Sequence, residues 1–256
     1  MVYLKTYKEI DLMRESSSLV ARTHAELAKI IKPGINLLRL DKLAEEFIGD
    51  HGGVPAFKGY NGFPCTLCIS KDKEVVHGIP TNIEIEEGAI LSIDCGVLMN
   101  GFYGDSAYTF AVGEISPQKR NLLDVTKEAL KIGVDSAICG NTTGDIGYAI
   151  QQFTESKGFS IVKELVGHGI GKELHEAPEV PNYGKQGSGI SLEHGTVIAI
   201  EPMVNIGNAD VIQKKDGWTI ETKDGLPSAH YEYTVAITKD KTEILSSFNL
   251  IEDNLK

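Results

Sequence analysis

Two carboxylates, Asp94 and Asp105, lie on adjoining stretches of the chain whose pattern predicts a β-hairpin. Apolar residues surround Asp94, which indicates a buried strand, and Asn100-Gly101 is a typical turn because both positions tolerate positive φ. With that loop, Asp94 lies opposite Ala107 and diagonal to Asp105; with a loop one residue earlier, it lies directly opposite Asp105. In both registers the carboxylates share one face. Since buried carboxylates repel each other, the pair predicts a shared proton or a bound metal ion. The alternative is a solvated pair on a surface hairpin, which the apolar flanking residues disfavour.

The second half of the chain supplies further candidate ligands. Glu201 ends an apolar strand-like run, Glu232 lies in a β-rich segment, His168 lies between glycines, and His175 follows seven residues later. With the hairpin pair, four buried carboxylates would carry about four negative charges, which suits two divalent cations. Adding one imidazole gives an oxygen-rich donor set that suits Mn, Fe or Co at least as well as Zn. Two bridged metal ions polarise a carbonyl and supply hydroxide at neutral pH.

Helices and strands must position these groups. Thr6 begins a capping box with Glu9, and Ser116 precedes Pro117 as an N-cap followed by a first-turn proline. The apolar spacing predicts helices over about 6–33, 36–52, 116–140 and 143–158. Strands are predicted over 161–166, 196–200, 219–221 and 229–237, with a polar loop reaching Gly189.

The second half of the chain repeats the first. Gly34, Leu40, Phe47 and Gly52 recur 106 positions later as Gly140, Ile146, Phe153 and Gly158. The segment ending in Asp94 recurs 107 positions later as the one ending in Glu201. This predicts an α+β fold in a single domain, residues 1–256, with an internal duplication, roughly 14–110 and 120–237. The halves would be related by a pseudo-two-fold axis around one curved, mainly antiparallel sheet, with a ligand site between them.

Composition excludes several function classes. The chain has 256 residues, enough for one large domain, and a net charge of −11 that disfavours DNA binding. It has no run of about 18 apolar residues and no apolar N-terminal segment, which predicts a cytoplasmic protein away from membranes. Cys65 and Cys68 form a C-x-x-C without a second pair, so two small thiols are favoured over a zinc or redox site. No nucleophile elbow, phosphate loop or dinucleotide fingerprint is present.

The ordered set Asp94, Asp105, His168, Glu201 and Glu232 resembles the metal site of the methionine aminopeptidases. The surrounding motifs agree: Val-His-Gly-Ile-Pro, Ile-Asp-Cys-Gly, Gly-His-Gly-Ile-Gly, Leu-His-Glu-Ala-Pro, Ile-Glu-Pro-Met and Asp-Gly-Trp-Thr. The similarity covers nearly the whole chain. It resembles type I, since no long insertion separates His175 from Glu201, and the short bacterial form, since there is no N-terminal extension.

The resemblance implies the pita-bread fold and two divalent metal ions (Co, Mn, Fe or Zn), with a monovalent cation nearby. Asp105 and Glu232 would bridge both ions, Asp94 would bind one, and His168 and Glu201 the other. A metal-bridging hydroxide would attack the peptide, and Glu201 would handle its proton. His175 would hydrogen-bond the scissile peptide, and His77 would hold the amide nitrogen or the leaving amine.

The implied reaction is removal of the initiator methionine from nascent chains whose second residue is small. The substrate pocket carried over from the family comprises Phe57, Tyr60, Phe63, Cys68, His77, Leu174, His175 and Trp218. Three positions depart from the commonest pattern: a small residue is more usual at Phe57, Tyr at Phe63 and an aromatic residue at Leu174. The metal ligands are unchanged, so the departures affect the shape of the pocket.

The implied partners are nascent polypeptide N-termini at the ribosome, and the enzyme is expected to be a monomer. Two rival classes share the fold. Prolidases and aminopeptidases P usually carry a further N-terminal domain, for which this chain has no room. Non-catalytic relatives that bind nucleic acid or proteins usually lose metal ligands, whereas all five are present here and the chain is acidic.

Overall fold

A computed structural model describes residues 2–255, and the predicted helix starts are confirmed there. Thr6 and Glu9 form the reciprocal capping box, Asn36 accepts a bond from the Leu38 amide, and the Ser116 hydroxyl caps the next helix. The helices are α1 Tyr7–Ala28, α2 Leu37–Asp50, α3 Pro117–Ser136, α4 Thr143–Ser156 and α5 Asn249–Asn254, with a 3₁₀ turn at Tyr60–Gly62. No helix among these residues is long and apolar enough to span a bilayer.

The strands pair antiparallel wherever they pair within residues 2–255. They are β1 Val54–Pro55, β2 Leu67–Lys71, β3 Glu74–Val76, β4 Ile90–Met99, β5 Phe102–Ala111, β6 Ser160–Ile161, β7 Gly167–Gly169, β8 Glu176–Val180, β9 Val197–Ile200, β10 Met203–Asn205, β11 Val211–Gln213, β12 Ile220–Thr222, β13 Ser228–His230, β14 Tyr233–Ile237 and β15 Thr242–Ile244. One hydrogen-bonded group has the order β1-β4-β2, with β5 on β4; another runs β15-β14-β9-β7-β8. Two three-stranded groups, β13-β10-β6 and β11-β12-β3, complete the pairing.

The central hairpin adopts the first of the two predicted registers. Met99 pairs with Phe102, so Asn100-Gly101 is the loop, with φ values of 54° and 79°. Asp94 is therefore opposite Ala107, as that register requires.

Several predicted segments differ from the structure. Helix α1 ends at Ala28 rather than near 33, and α3 ends at Ser136 rather than near 140. The strand predicted over 161–166 is only β6, and the polar loop before Gly189 contains β7 and β8. The strand predicted over 229–237 is interrupted at Tyr231-Glu232, because the chain leaves β10 there and joins β9. That interruption places Glu232 between two strands rather than within one.

Helices cover one side of the strands and leave the carboxylate-bearing face for the site. Helix α1 packs on β4 and β5, whereas α3 and α4 pack on each other and α3 on β9, β10 and β13. A continuous apolar core runs from Leu19 through Ile93 to Ile200. Two helices followed by strands therefore occur twice, at 7–111 and 117–237. The internal duplication and the single domain over 1–256 stay predictions.

Candidate metal centre

The site forms where β5 of the first half meets the end of β13 and the start of β14 in the second. The Glu232 amide donates to the Ala107 carbonyl at 2.9 Å, and the Ser106 hydroxyl donates to the Glu232 carbonyl at 2.8 Å. The Thr234 hydroxyl donates to the Asp105 carbonyl at 2.8 Å and lies 3.2 Å from the Asp105 amide, which donates to it. These bonds hold Asp105 and Glu232 side by side, although they are far apart in sequence.

Carboxylate and imidazole groups converge at this seam. Ligand atoms of Asp105, His168 and Glu232 all lie within 4.8 Å of one another. His168 Nε2 is 3.6 Å from Glu201 Oε1. Asp94 lies close enough to Asp105 for a hydrogen bond between the two carboxyl groups. All five predicted ligands are therefore brought together.

Burial makes these carboxylates costly to ionise. It raises the pKa of Asp94 to about 7, with a further contribution from the Glu201 charge, and raises the pKa of Glu201 to about 8. Burial, and then the charges of neighbouring carboxylates, raise the pKa of Asp105 and of Glu232 well above the usual range. The chain alone therefore does not stabilise four negative charges here.

A cation fits this arrangement. Asp94 Oδ1 and Glu232 Oε1 are buried and find no hydrogen-bond partner among residues 2–255. Buried carboxylate oxygens without partners are costly unless they bind a metal ion or a proton. The donor atoms are carboxylate oxygens and one imidazole, a set that suits first-row divalent ions. The residues present therefore fit a divalent metal site.

The imidazole of His168 is prepared to bind such an ion. Its Nδ1 lies 3.0 Å from the Gly169 carbonyl, which can only accept, so Nδ1 carries the proton. Nε2 therefore keeps its lone pair and faces Glu201. Burial lowers the pKa of His168 to about 4, and of His77 also to about 4, so both rings are neutral at pH 7.

A cavity of about 260 Å³ opens beside the carboxylates. It is lined by Phe57, Tyr60, Asn61, Phe63, Cys68, His77, Asp94, Asp105, His168, Leu174, His175, Glu201, Trp218 and Glu232. Every predicted site residue lines this cavity. One wall is apolar, since Phe63 and Trp218 pack edge to face with ring centroids 5.2 Å apart. The Phe57 ring lies close to Gly96, where a Cβ would come within 2.6 Å of it.

His175 joins the two parts of the cavity. Its Nδ1 lies 2.8 Å from the Tyr60 hydroxyl, and its ring packs against His168 with centroids 4.4 Å apart. The next residue, Glu176, begins β8 and forms an ion pair with Lys5 at 2.6 Å. His175 thus lies between the apolar wall and the carboxylates.

Sequence reasoning missed two residues at the site. Asn61 lines the cavity from the 3₁₀ turn and has a φ of 47°. His230 is buried, its Nε2 lies 3.5 Å from Glu201 Oε2, and burial lowers its pKa to about 4. Its position two residues before the candidate ligand Glu232 is the only sequence signal that pointed to it.

Comparison with known proteins identifies the family of this chain. Residues 11–239 match metallopeptidase family M24. The chain belongs to metallopeptidase family M24. Among M24 relatives, a methionine aminopeptidase of Clostridium acetobutylicum is 49% identical over 247 residues, covering 96% of this chain and 99% of the relative. Methionine aminopeptidase 1 of Bacillus subtilis is 48% identical over 246 residues, again covering 96% and 99%.

A solved M24 structure confirms the fold. The crystal structure of methionine aminopeptidase from Rickettsia prowazekii superimposes with a TM-score of 0.95 at 38% identity, covering 96% of this chain and all of that chain. The predicted family and the predicted α+β pita-bread fold are therefore confirmed. Membership of M24 makes this chain a metallopeptidase with a cluster of residues that can bind metal.

Proposed function

We propose that this chain is a methionine aminopeptidase that removes the initiator methionine from proteins whose second residue is small. The observation that carries the proposal is a single cavity in which an apolar wall adjoins a carboxylate and imidazole cluster. The names of the relatives that are 49% and 48% identical support the same activity. The apolar wall would take the methionine side chain, and the cluster would lie at the peptide bond.

The metal ligands would be Asp94, Asp105, His168, Glu201 and Glu232. Asp105 and Glu232, which the seam between the halves holds together, would be shared by two divalent ions. When bound, the ions would polarise the scissile carbonyl and lower the pKa of an attacking water. Co, Mn, Fe and Zn are all compatible with the donor set, and a monovalent cation would lie nearby.

Three residues would handle protons and orient the substrate. Glu201, which would be ionised once metal is bound, can accept the proton of the attacking water and pass it to the leaving amine. His175 lines the cavity between the metal ligands and the apolar wall, where it can hydrogen-bond the scissile peptide. His77 faces the same cavity and can hold the amide nitrogen.

The shape of the pocket would set specificity. Phe57, Phe63 and Trp218 enclose it with rings, and Cys68 and Leu174 complete the apolar lining beside Tyr60. The cavity of about 260 Å³ is lined both by these apolar side chains and by the carboxylate cluster, so the apolar part alone is the space left for a side chain. One unbranched side chain with a polarisable sulfur suits it. A crowded second position would then limit the next residue to small types.

The substrates would be nascent polypeptide N-termini met at the ribosome in the cytoplasm. The enzyme would act as a monomer with one catalytic domain over residues 1–256, built from duplicated halves of roughly 14–110 and 120–237. The acidic chain would not bind DNA, and no membrane would be involved.

Peptide hydrolysis tests the proposal. Methionine release from Met-Ala-Ser would be compared with cleavage of Leu-Ala-Ser and Ala-Pro-Ser by metal-loaded protein. We expect release from the methionine peptide alone, and a marked loss with Met-Leu-Ser. The matched variants are Trp218→Leu, which should raise KM, and Asp240→Asn on the exposed surface, which should change nothing. Cleavage of the proline peptide instead would show that the chain has the activity of the prolidases, which share this fold.

A further inference from the structure

His175 has two ring nitrogens, and only one can carry the proton in the neutral ring. The Nδ1 atom lies 2.8 Å from the Tyr60 hydroxyl, so Nε2 is the ring nitrogen that can contact a ligand in the cavity. The identity of the protonated nitrogen decides whether Nε2 donates or accepts. A group that binds a peptide carbonyl must donate.

The 2.8 Å separation allows either the Tyr60 hydroxyl or His175 Nδ1–H to be the donor. Burial raises the pKa of Tyr60, so the phenol keeps its proton at neutral pH and can donate, and it makes no other hydrogen bond within the described chain. A hydroxyl that donates to Nδ1 requires a lone pair there, which places the imidazole proton on Nε2. The reverse arrangement, with Nδ1–H donating to the phenol oxygen, would leave Nε2 unable to donate.

Hydrogen bonds of neighbouring residues fix the positions of both Tyr60 and His175. Around Tyr60, the Gly59 amide donates to the Phe63 carbonyl at 2.8 Å, and the Phe63 amide donates to the Tyr60 carbonyl at 2.9 Å, so the turn is closed on itself. Glu176, next to His175, accepts bonds from the amides of Lys172 at 2.8 Å and Glu173 at 3.2 Å.

Lys5 completes that support. Its Nζ donates to Glu176 at 2.6 Å, and its side chain is 1% exposed. The position of the His175 ring is therefore fixed by both halves of the chain, since Tyr60 and His175 are separated by 115 residues.

We propose that Tyr60 is a positioning residue that holds His175 in its Nε2–H tautomer and directs this N–H toward the scissile peptide. The inference deepens the proposed function and rests on it, because His175 is the group that would bind the peptide. Tyr60 is then more than part of the pocket wall. Its hydroxyl sets the hydrogen-bonding role of His175, and its ring packs against the imidazole with centroids 5.3 Å apart.

The direct test is nitrogen NMR of the zinc-loaded, ¹⁵N-histidine-labelled protein, with the His175 signals assigned by their loss in His175→Gln. The wild type should show a proton on Nε2 and a lone pair on Nδ1. In Tyr60→Phe the two nitrogens should move toward averaged shifts, as both tautomers become populated. Tyr103→Phe, which removes a nearby hydroxyl that does not bond His175, should leave the spectrum unchanged.

Kinetics supply the second readout. Loss of one neutral hydrogen bond predicts a fall in kcat for Met-Ala-Ser of about tenfold in Tyr60→Phe, with KM changed less than about twofold. A pocket-wall role alone would change KM and leave the tautomer intact. An Nδ1–H tautomer in the wild type, or an unchanged tautomer in Tyr60→Phe, would overturn the proposal. The wild-type spectrum is independent of turnover, so inactivity toward methionine peptides would refute the function without deciding the tautomer.

Discussion

Metal binding should release protons from the carboxylate cluster. In the metal-free protein, burial raises the pKa of Asp94 to about 7 and that of Glu201 to about 8. The pKa values of Asp105 and Glu232 are raised well above the usual range, mainly by burial and then by neighbouring negative charge. A divalent ion binds the ionised forms, so each carboxyl that is protonated beforehand must lose its proton on binding.

The expected number follows from these pKa values. At pH 7 a carboxyl with a pKa of about 7 is about half protonated, and one with a pKa of about 8 is about nine-tenths protonated. Asp94 and Glu201 together then release about one proton, and Asp105 and Glu232, whose pKa values burial and neighbouring negative charge also raise, release protons as well. Because the pKa values are raised, metal affinity should increase with pH and level off above the highest of them.

Isothermal titration of metal-free protein with Mn²⁺ measures this number. The titration is repeated at pH 7 in two buffers of different ionisation enthalpy, and the difference in heat gives the protons released. Glu201→Gln should release about one proton fewer, whereas Asp240→Asn should match the wild type. Release near zero in the wild type would show that the carboxylates are ionised without metal, and the reasoning from burial would be wrong.

Three further predictions concern single substitutions. Glu201→Gln should lower kcat by at least about 100-fold in peptide assays, because the proton acceptor is lost; wild-type rates would contradict its role. Asp105→Asn should weaken Mn²⁺ binding by at least about tenfold in the same calorimetry, and unchanged affinity would count against a shared ligand. Burial lowers the pKa of His24 to about 4 in the folded protein. The stability that the neutral ring allows is therefore fully present above pH 6.5, and it is lost as the pH falls and the unfolded chain takes up the proton. Between pH 7.5 and 5, metal-free wild type should therefore lose roughly 2 kcal/mol more than His24→Gln in urea unfolding; equal losses would refute this.

Local sequence signals predicted the helix starts well. The capping box at Thr6 and Glu9, and the serine-proline pair at Ser116, act within a single turn, so they depend little on the rest of the fold. The hairpin register was left open by one residue. The structure selects Asn100-Gly101, the pair that most readily takes two consecutive positive φ values.

Non-local pairing explains what the sequence did not predict. The segment Glu176–Val180 is a strand because β7 lies beside it, although two glutamates and a proline give its five residues a low strand propensity. The interruption at Glu232 arises where the chain passes between two strand groups. Periodicity within one segment cannot show such a change of partner.

The candidate site was predicted as a set of residues rather than as a geometry. The five ligands followed from the residue types and the resemblance, and the structure brings them together. His230 was missed because its spacing from Glu232 was the only signal in the sequence, and its position 3.5 Å from Glu201 depends on a contact between distant segments. The bond between Tyr60 and His175 likewise joins distant segments, and no motif in the sequence pairs them.

The central claim is that the carboxylate cluster binds two metal ions that cleave methionine from peptides. Its most direct test is methionine release from Met-Ala-Ser by metal-free protein to which Mn²⁺ is returned in steps. We predict no release before addition, activity that rises with added metal, and binding that saturates at about two ions per chain. Full activity in protein shown to be free of metal, or activity unaffected by added metal, would contradict the account.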